Sequence, residues 1–491
     1  MGCVIGVDVG SQSVKALVVD ERGNALADAS APCQMIHPAS GWAEQQPTDW
    51  EHALALAVRE ARSQAGITAT EVTMLGLACQ VDGLVAMDHQ LRALRPGIIW
   101  LDRRATVQTD ALADAVGEDE LVRRTGLNPD ASHSGPKAMW LRDVEPEHYD
   151  AARWLAPVGG HLNGWLTGEV VQDHANASST LLYDVHRRAW SDDLVAHAGL
   201  DAERLPPIRS AGEVIGPLRA QAAEALGLSG QCRVVVGTGD EHGAALGAGA
   251  LGPGVIVDVT GTAEPVAVPS QDVVLDSERL VETHAHAVDG MLLIENPGFV
   301  SGGSTQWFAA TLGVSQAQLF DLARQAPAGS DGALFLPTLS GATAPRWNDA
   351  MRGCFAGLAL NHGPSHLARA VLEGCAFALR DIIDRFSAMG LGGDVIRVVG
   401  GGARSALWLQ IKADVTNRPV LPVQGDHATS AGAAMLAGVA AGYFADLEDA
   451  ASHIVRLAPQ SIAPDAGTVG LYDDAHGAYR RLFDGVEGAL S

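Results

Sequence analysis

The chain opens on a nearly continuous apolar run, Cys3–Val9, broken by one acid, Asp8. A run with so little polar alternation predicts a strand covered on both faces. Gly10-Ser11-Gln12-Ser13 reads as a turn, Val14–Val19 as a second strand, and Glu21-Arg22-Gly23-Asn24 as the turn into a third. Helical periodicity follows at 48–65 and 105–125. Strands followed by helices predict an α/β domain with a mixed sheet.

The opening pattern returns 250 positions later: Val7-Asp8-Val9-Gly10-Ser11 is echoed by Val257-Asp258-Val259-Thr260-Gly261-Thr262. Each copy is an apolar strand, a turn bearing hydroxyls and a further apolar strand, which predicts two domains of related architecture. The Gly- and Ala-rich stretch Gly237–Gly254 reads as the crossover, placing a boundary near residue 245, with domains 1–245 and 246–491 around a cleft.

Composition narrows the partners. The 491 residues carry a formal net charge of −25, so the general surface repels nucleic-acid backbones and anionic membranes. Neither is expected as a partner, and no run of 18 apolar residues is present to span a bilayer. An anionic ligand would have to be captured by backbone amides, helix N-termini or a metal. The six cysteines are scattered without a C-x-x-C pair, and the first ten residues lack a basic segment. Both features lead to the expectation of a reduced, cytoplasmic protein without a signal peptide.

Two acids stand out. Asp8 lies inside an apolar strand, where an unpaired carboxylate is costly and needs a partner, a metal or a proton. The turn after it offers Ser11, Gln12 and Ser13, with Lys15 beyond, and reads equally as a phosphate cradle or a capped hairpin. Asp240 follows the apolar run Val234–Val236 and a glycine turn, and precedes a small-residue helix at 244–250. It reads as a cleft-lining carboxylate or as a helix N-cap, with His242 beside it as a structural residue.

Other motifs are individually weaker. Thr260-Gly261-Thr262 is a second hydroxyl-rich turn after an apolar strand. Strand Ile396–Val399, Gly400-Gly401-Gly402 and a helix at 405–415 form a strand–glycine–helix unit of the nucleotide-binding kind. Ser405 replaces the third glycine of a dinucleotide fingerprint, although Asp426 stands where a ribose carboxylate would; no Walker A pattern is present. His284 and His286 fall on one face of a strand, but no third residue is spaced to complete a zinc site, which favours structural histidines.

Taken together, these residues resemble the FGGY-type carbohydrate kinases, with the xylulokinases closest in pattern. The resemblance runs from Asp8 to about Ala440. It is carried by Asp8-x-Gly-Ser-x-Ser-x-Lys15, Trp42-x-Glu-Gln-x-Pro47, Gln80-Val81-Asp82-Gly83, Trp100-x-Asp102-x-Arg104 and Pro136-Lys137 with Trp140. Leu166-Thr167-Gly168-Glu169 and Gly239-Asp240 follow, then the signature from Gly353 to Glu373, and Gly400 to Ser405.

The resemblance implies two actin-like (ribonuclease H-like) domains, each a mixed β-sheet flanked by helices, around a hinged cleft. It implies transfer of the ATP γ-phosphoryl group to a sugar hydroxyl, with ATP/ADP and Mg²⁺ as cofactors. On that reading Asp240 is the general base and Asp8 holds the metal. Ser11, Gln12, Ser13, Lys15, Gly261 and Thr262 hold the phosphates, and Gly401, Gly402 and Ala406 flank adenosine. Gln80, Val81, Asp82, Trp100, Asp102 and Glu241, with Asp240, bind the sugar.

Three departures bear on the substrate: Asp82 replaces the xylulokinase His (and Val81 a Met), Glu241 replaces the Asn usual after the catalytic Asp, and Ser340–Pro345 lacks a charged pair. A ketopentose such as D-xylulose is the first expectation. D-ribulose, L-ribulose, a polyol (ribitol, erythritol, glycerol) or a non-catalytic sugar sensor are the alternatives. A nicotinamide dehydrogenase is disfavoured by the incomplete fingerprint. A monomer or a homodimer is expected.

Overall fold

The first apolar run forms strand β1 (Cys3–Val9), which hairpins through the Gly10–Ser13 turn onto β2 (Ser13–Asp20) and β3 (Ala25–Pro32). The structure is a computed structural model that describes residues 2–490. On its other edge β1 runs parallel to β4 (Val72–Cys79). The edge strand β5 (Val214–Pro217) and then β6 (Arg233–Val235) complete the order β5-β6-β4-β1-β2-β3, with β7 (Thr238–Gly239) parallel to the end of β4. Helix α1 (Pro47–Ala65) covers this sheet with Trp50, Leu54, Ala57, Val58 and Ala61. The predicted helix over 105–125 is two, α2 (Thr106–Val116) and α3 (Glu118–Thr125), because Gly117 sits at φ 87° between them.

Helix α4 (Asp240–Gly247) follows, and the second sheet begins. Its strands are β8 (Val255–Val259), β9 (Ala263–Ser270), β10 (Glu282–Ala285), β11 (Leu292–Val300), β12 (Val395–Val399) and β13 (Val420–Pro422). Their order is β10-β11-β9-β8-β12-β13, again mixed. Helix α5 (Gly302–Leu312) follows β11, and α6 (Ala406–Thr416) follows the glycine turn after β12. Each sheet lies wholly on one side of α4, and we propose the division near residue 245 for the sheets.

Helix α7 (Ala428–Ala440) crosses that division. It packs on the first sheet, its Ala434, Met435 and Leu436 sharing a core with Val4, Leu17 and Met74. The approach is close enough to require glycine. A Cβ on Gly6 would stand 1.9 Å from the Ser430 carbonyl oxygen, and one on Gly76 would stand 2.3 Å from that of Ala433. Where α7 meets α4, a Cβ on Gly247 would lie 1.8 Å from the Ala428 oxygen. The small residues of both helices are thus there so that backbones can touch.

This geometry sets a stability test. Gly76→Ala forces a methyl into backbone that cannot swing aside, and should lower stability by about 1–3 kcal/mol. Gly392→Ala, where nothing lies within 4 Å, should stay within about 0.5 kcal/mol of wild type. Urea midpoints measure both, and equal midpoints would refute the close-packing account.

Candidate active site

Three neighbouring parallel strands bring the special acids to one edge. Asp8 of β1 is in register with Ala78 of β4, and Ala78 with Thr238 of β7. Asp8, the loop at 80–82 and Asp240 therefore all emerge at the C-terminal ends of their strands, where α/β sheets place their ligands. Asp240 begins α4, four residues ahead of the helix expected from sequence, and Gly239 occupies the cap position. The N-cap reading of Asp240 is thereby corrected: its Oδ1 accepts from the adjacent Glu241 amide, at 3.1 Å.

Burial in the cleft, followed by the negative charge of Asp8, pushes the Asp240 carboxyl up to about 7. Asp8 faces Lys15 across the β1–β2 ladder, with Nζ 3.4 Å from Oδ2. Burial raises the Asp8 pKa, and the Lys15 cation opposes that shift.

The loop after β4 is held from behind. Lys137 is fully buried and its Nζ donates to the carbonyl oxygens of Asp82 at 2.7 Å, Ile99 at 2.8 Å, and Ser132. Burial lowers its pKa to about 8. One ammonium thus joins Asp82 to the segments bearing Trp100 and His133. Asp82 adopts φ 58°, and its Oδ1 lies 3.3 Å from His133 Nδ1. Trp100 is 37% exposed, and Val81 packs on Gly239.

Two sugar-site expectations are corrected. Asp102 is completely buried: Oδ2 accepts from the Ala43 amide at 2.6 Å and both oxygens accept from Arg104, leaving no face for a ligand. Gln80 is 1% exposed and lies under the loop, donating from Nε2 to Gln45 Oε1 at 2.9 Å. Gln45 in turn donates to the Ser11 carbonyl oxygen at 2.8 Å, so the pair couples the loop at 80–82 to the Gly10–Ser13 turn.

The second sheet adds groups that the sequence reading missed. Glu295 of β11 is 2% exposed, and its negative charge bears on Glu241. Burial, followed by the negative charges of Glu295 and Asp240, raises the Glu241 pKa well above the ordinary range. His284 Nε2 lies 3.2 Å from Glu295 Oε1, and Glu282 accepts from the Asn128 amide at 2.8 Å across the two halves. The signal for Glu295 was an acid at the end of the apolar run Met291–Ile294.

His242 is buried with its ring 6.0 Å from that of His284 and 6.1 Å from that of His286, and burial drives its pKa well down. His286 Nε2 lies 3.0 Å from the Ala250 oxygen. Among the described residues no group of three or more ligating side chains is placed to hold a metal.

The nucleotide motifs line a shared junction. Among the described residues, no hydrogen bond engages the amides of Ser11, Gln12 or Thr262, as an anion cradle requires. Gly261 and Thr262 are shaped by α5, whose Gly302 and Gly303 amides donate to their carbonyl oxygens at 3.1 and 3.0 Å. Gly400 turns at φ 85°, and a Cβ on Gly402 would lie 2.3 Å from Thr260 Cγ2, so the glycine turn rests on the turn at 260–262. Gly401 is exposed, as is Ala406 at the start of α6, where Ser405 Oγ accepts from the Trp408 amide at 3.3 Å. Ser13 is half-buried. Asp426 is paired with Arg404, so it is not a free ribose carboxylate.

No helix among the described residues is long and apolar enough to cross a membrane. Comparison with known proteins agrees with the two-part architecture. The family model for the FGGY family of carbohydrate kinases, N-terminal domain, matches residues 3–247; that for the C-terminal domain matches residues 258–441. A xylulose kinase of Escherichia coli (strain K12) is 30% identical over 486 residues, covering 98% of each chain. A glycerol kinase of Chromobacterium violaceum is 31% identical over 461 residues, covering 91% of each. The crystal structure of xylulose kinase from Rhodospirillum rubrum aligns with a TM-score of 0.91 at 28% identity, covering 99% of both chains.

Proposed function

The chain belongs to the FGGY family of carbohydrate kinases, with the actin-like fold of that family, and from that premise we propose that it phosphorylates a ketopentose such as D-xylulose at the expense of ATP. The observation that carries the chemistry is Asp240, standing at a strand end beside Asp8 with its pKa raised to about 7. A general base works best when its pKa lies near the working pH.

Asp240 takes the proton from the acceptor hydroxyl as its oxygen bonds to the γ-phosphorus; the bond from that phosphorus to the β–γ bridging oxygen breaks, and ADP leaves. Ser11, Gln12, Ser13 and Lys15 on one side, and Gly261 and Thr262 on the other, hold the phosphates. Gly401, Gly402 and Ala406 flank adenosine. Asp8 suits magnesium, which takes one or two carboxylates and completes its shell with phosphate oxygens and water. The ion supplies charge neutralisation on the transferring group.

A second reading, a polyol acceptor, is favoured by one observation. Asp82, Glu241 and Glu295 lie within electrostatic reach of one another. As carboxylates these groups only accept hydrogen bonds. Every oxygen of a polyol can donate to them, whereas a ketose carbonyl cannot.

A coupled ADP-release assay across ketopentoses, pentitols, tetritols, glycerol and hexoses, with Mg-ATP, tests the reading. One strong acceptor supports it. Failure of all, with nucleotide still bound, overturns it in favour of a sensor. Asp82→His should raise the preference for D-xylulose over the best polyol by about tenfold, the scale of a changed polar contact in a substrate pocket. An unaltered ranking would show that residue 82 does not read the acceptor.

A further inference from the structure

One set of buried charges near the nucleotide turns has no part in the chemistry above. Asp258 of β8, Glu264 of β9 and Lys412 of α6 have side chains at most 1% exposed. Lys412 Nζ donates to Asp258 Oδ2 at 2.5 Å and to Thr260 Oγ1 at 2.6 Å, and forms an ion pair with Glu264 Oε1 at 3.0 Å. Thr260 Oγ1 donates to Asp258 Oδ1 at 2.8 Å. Ser301 Oγ donates to Glu264 Oε2, and the Ser301 amide donates to the Thr262 carbonyl oxygen at 3.2 Å.

A single ammonium therefore grips both stems of the turn at 260–262. Thr260 is also where the glycine turn rests: its amide donates to the Val399 oxygen at 3.0 Å, and its own oxygen accepts from the Gly402 amide at 3.3 Å. The helix that follows the glycine turn carries Lys412. Three buried ions are a poor means of stabilising a core, since apolar groups of the same volume do as well or better. What they do provide is direction, aimed at one hydroxyl.

We propose that Lys412 is a positioning residue for the nucleotide: through Thr260 it fixes the phosphate turn at 260–262 against the glycine turn at 400–402, so that one nucleotide is met correctly at both ends. This inference rests on the reading of those two turns as nucleotide-binding.

The test compares the full-length wild type with Lys412→Met, measuring the dissociation constant for ATP by calorimetry and the KM for ATP and for the acceptor. ATP affinity should fall about tenfold or more, as for loss of a charged anchoring contact, with the acceptor KM changed less than about twofold. A variant that melts lower but binds ATP as wild type does would overturn the proposal. If Lys412→Met does not fold, the uncharged set Lys412→Met, Asp258→Asn and Glu264→Gln removes the orphaned acids and should show the same loss of ATP affinity; wild-type affinity there overturns the proposal. Gly401→Glu separates the premise from the inference, because nothing lies within 4 Å of a Cβ at that position. Unchanged ATP binding in Gly401→Glu refutes the nucleotide reading itself, and the positioning role with it. Weakened binding there alongside wild-type binding in Lys412→Met refutes the positioning role alone.

Discussion

Asp240→Asn should lower kcat by about 10²–10⁴-fold, the contribution of a positioned general base, while acceptor and ATP still bind. The exchange is nearly isosteric, and the side chain accepts a hydrogen bond from the neighbouring Glu241 amide. The pH behaviour separates lost chemistry from lost structure. In the folded protein the Asp240 pKa stands at about 7, against an ordinary value of 3.8. Between those values the folded state holds a proton that the unfolded chain has released, so this group makes stability fall as pH rises from about 4 to about 7. Asparagine removes that slope, and the variant should melt no lower than wild type at pH 8. The wild-type kcat/KM should climb towards pH 7 and then level, as the base becomes ionised. A loss of kcat smaller than tenfold, or a profile flat from pH 5 to 8, would remove Asp240 from the role of base.

Asp8→Ala should be nearly as damaging, by a different route. Asp8 pairs with Lys15 and, on the reading above, holds the magnesium that accompanies ATP. Removing it should cut kcat by about 10²–10³-fold, as for loss of one preorganised electrostatic group. It should also move the magnesium requirement to higher concentrations and leave acceptor affinity little changed. Titration of activity with magnesium, set beside acceptor binding without nucleotide, measures both. An unshifted magnesium midpoint would exclude the metal role.

Both acids were visible in the sequence, Asp8 because it interrupts an apolar strand and Asp240 because it follows one across a glycine turn. Glu295, an acid closing the apolar run Met291–Ile294, could have been picked out in a similar way. Asp102 shows the limit of that reasoning. Its motif spacing is the same whether the acid faces a ligand or the arginine two residues on, and the structure gives it to Arg104 and to the Ala43 amide. Gln80 likewise sits in the right loop but under it, a distinction of depth that a short motif does not encode. Lys137 stood in a motif without a role; only the fold shows three carbonyls converging on it. The strands and turns of the two sheets were readable from apolar runs and glycines. The division of the helix at 105–125 depended on one left-handed glycine. The placement of α7 was hidden for another reason: small residues announce that a backbone comes close, but not which backbone.

That crossing helix also orders the life of the chain at the ribosome. Val4, Leu17 and Met74 share their core with residues 434–436, so the earliest strands to emerge wait for nearly the whole polypeptide before this part of their outer face is closed. Until then they present sticky surface to any neighbour. A chain halted between the two sheets should therefore be a better client for chaperones than the complete one.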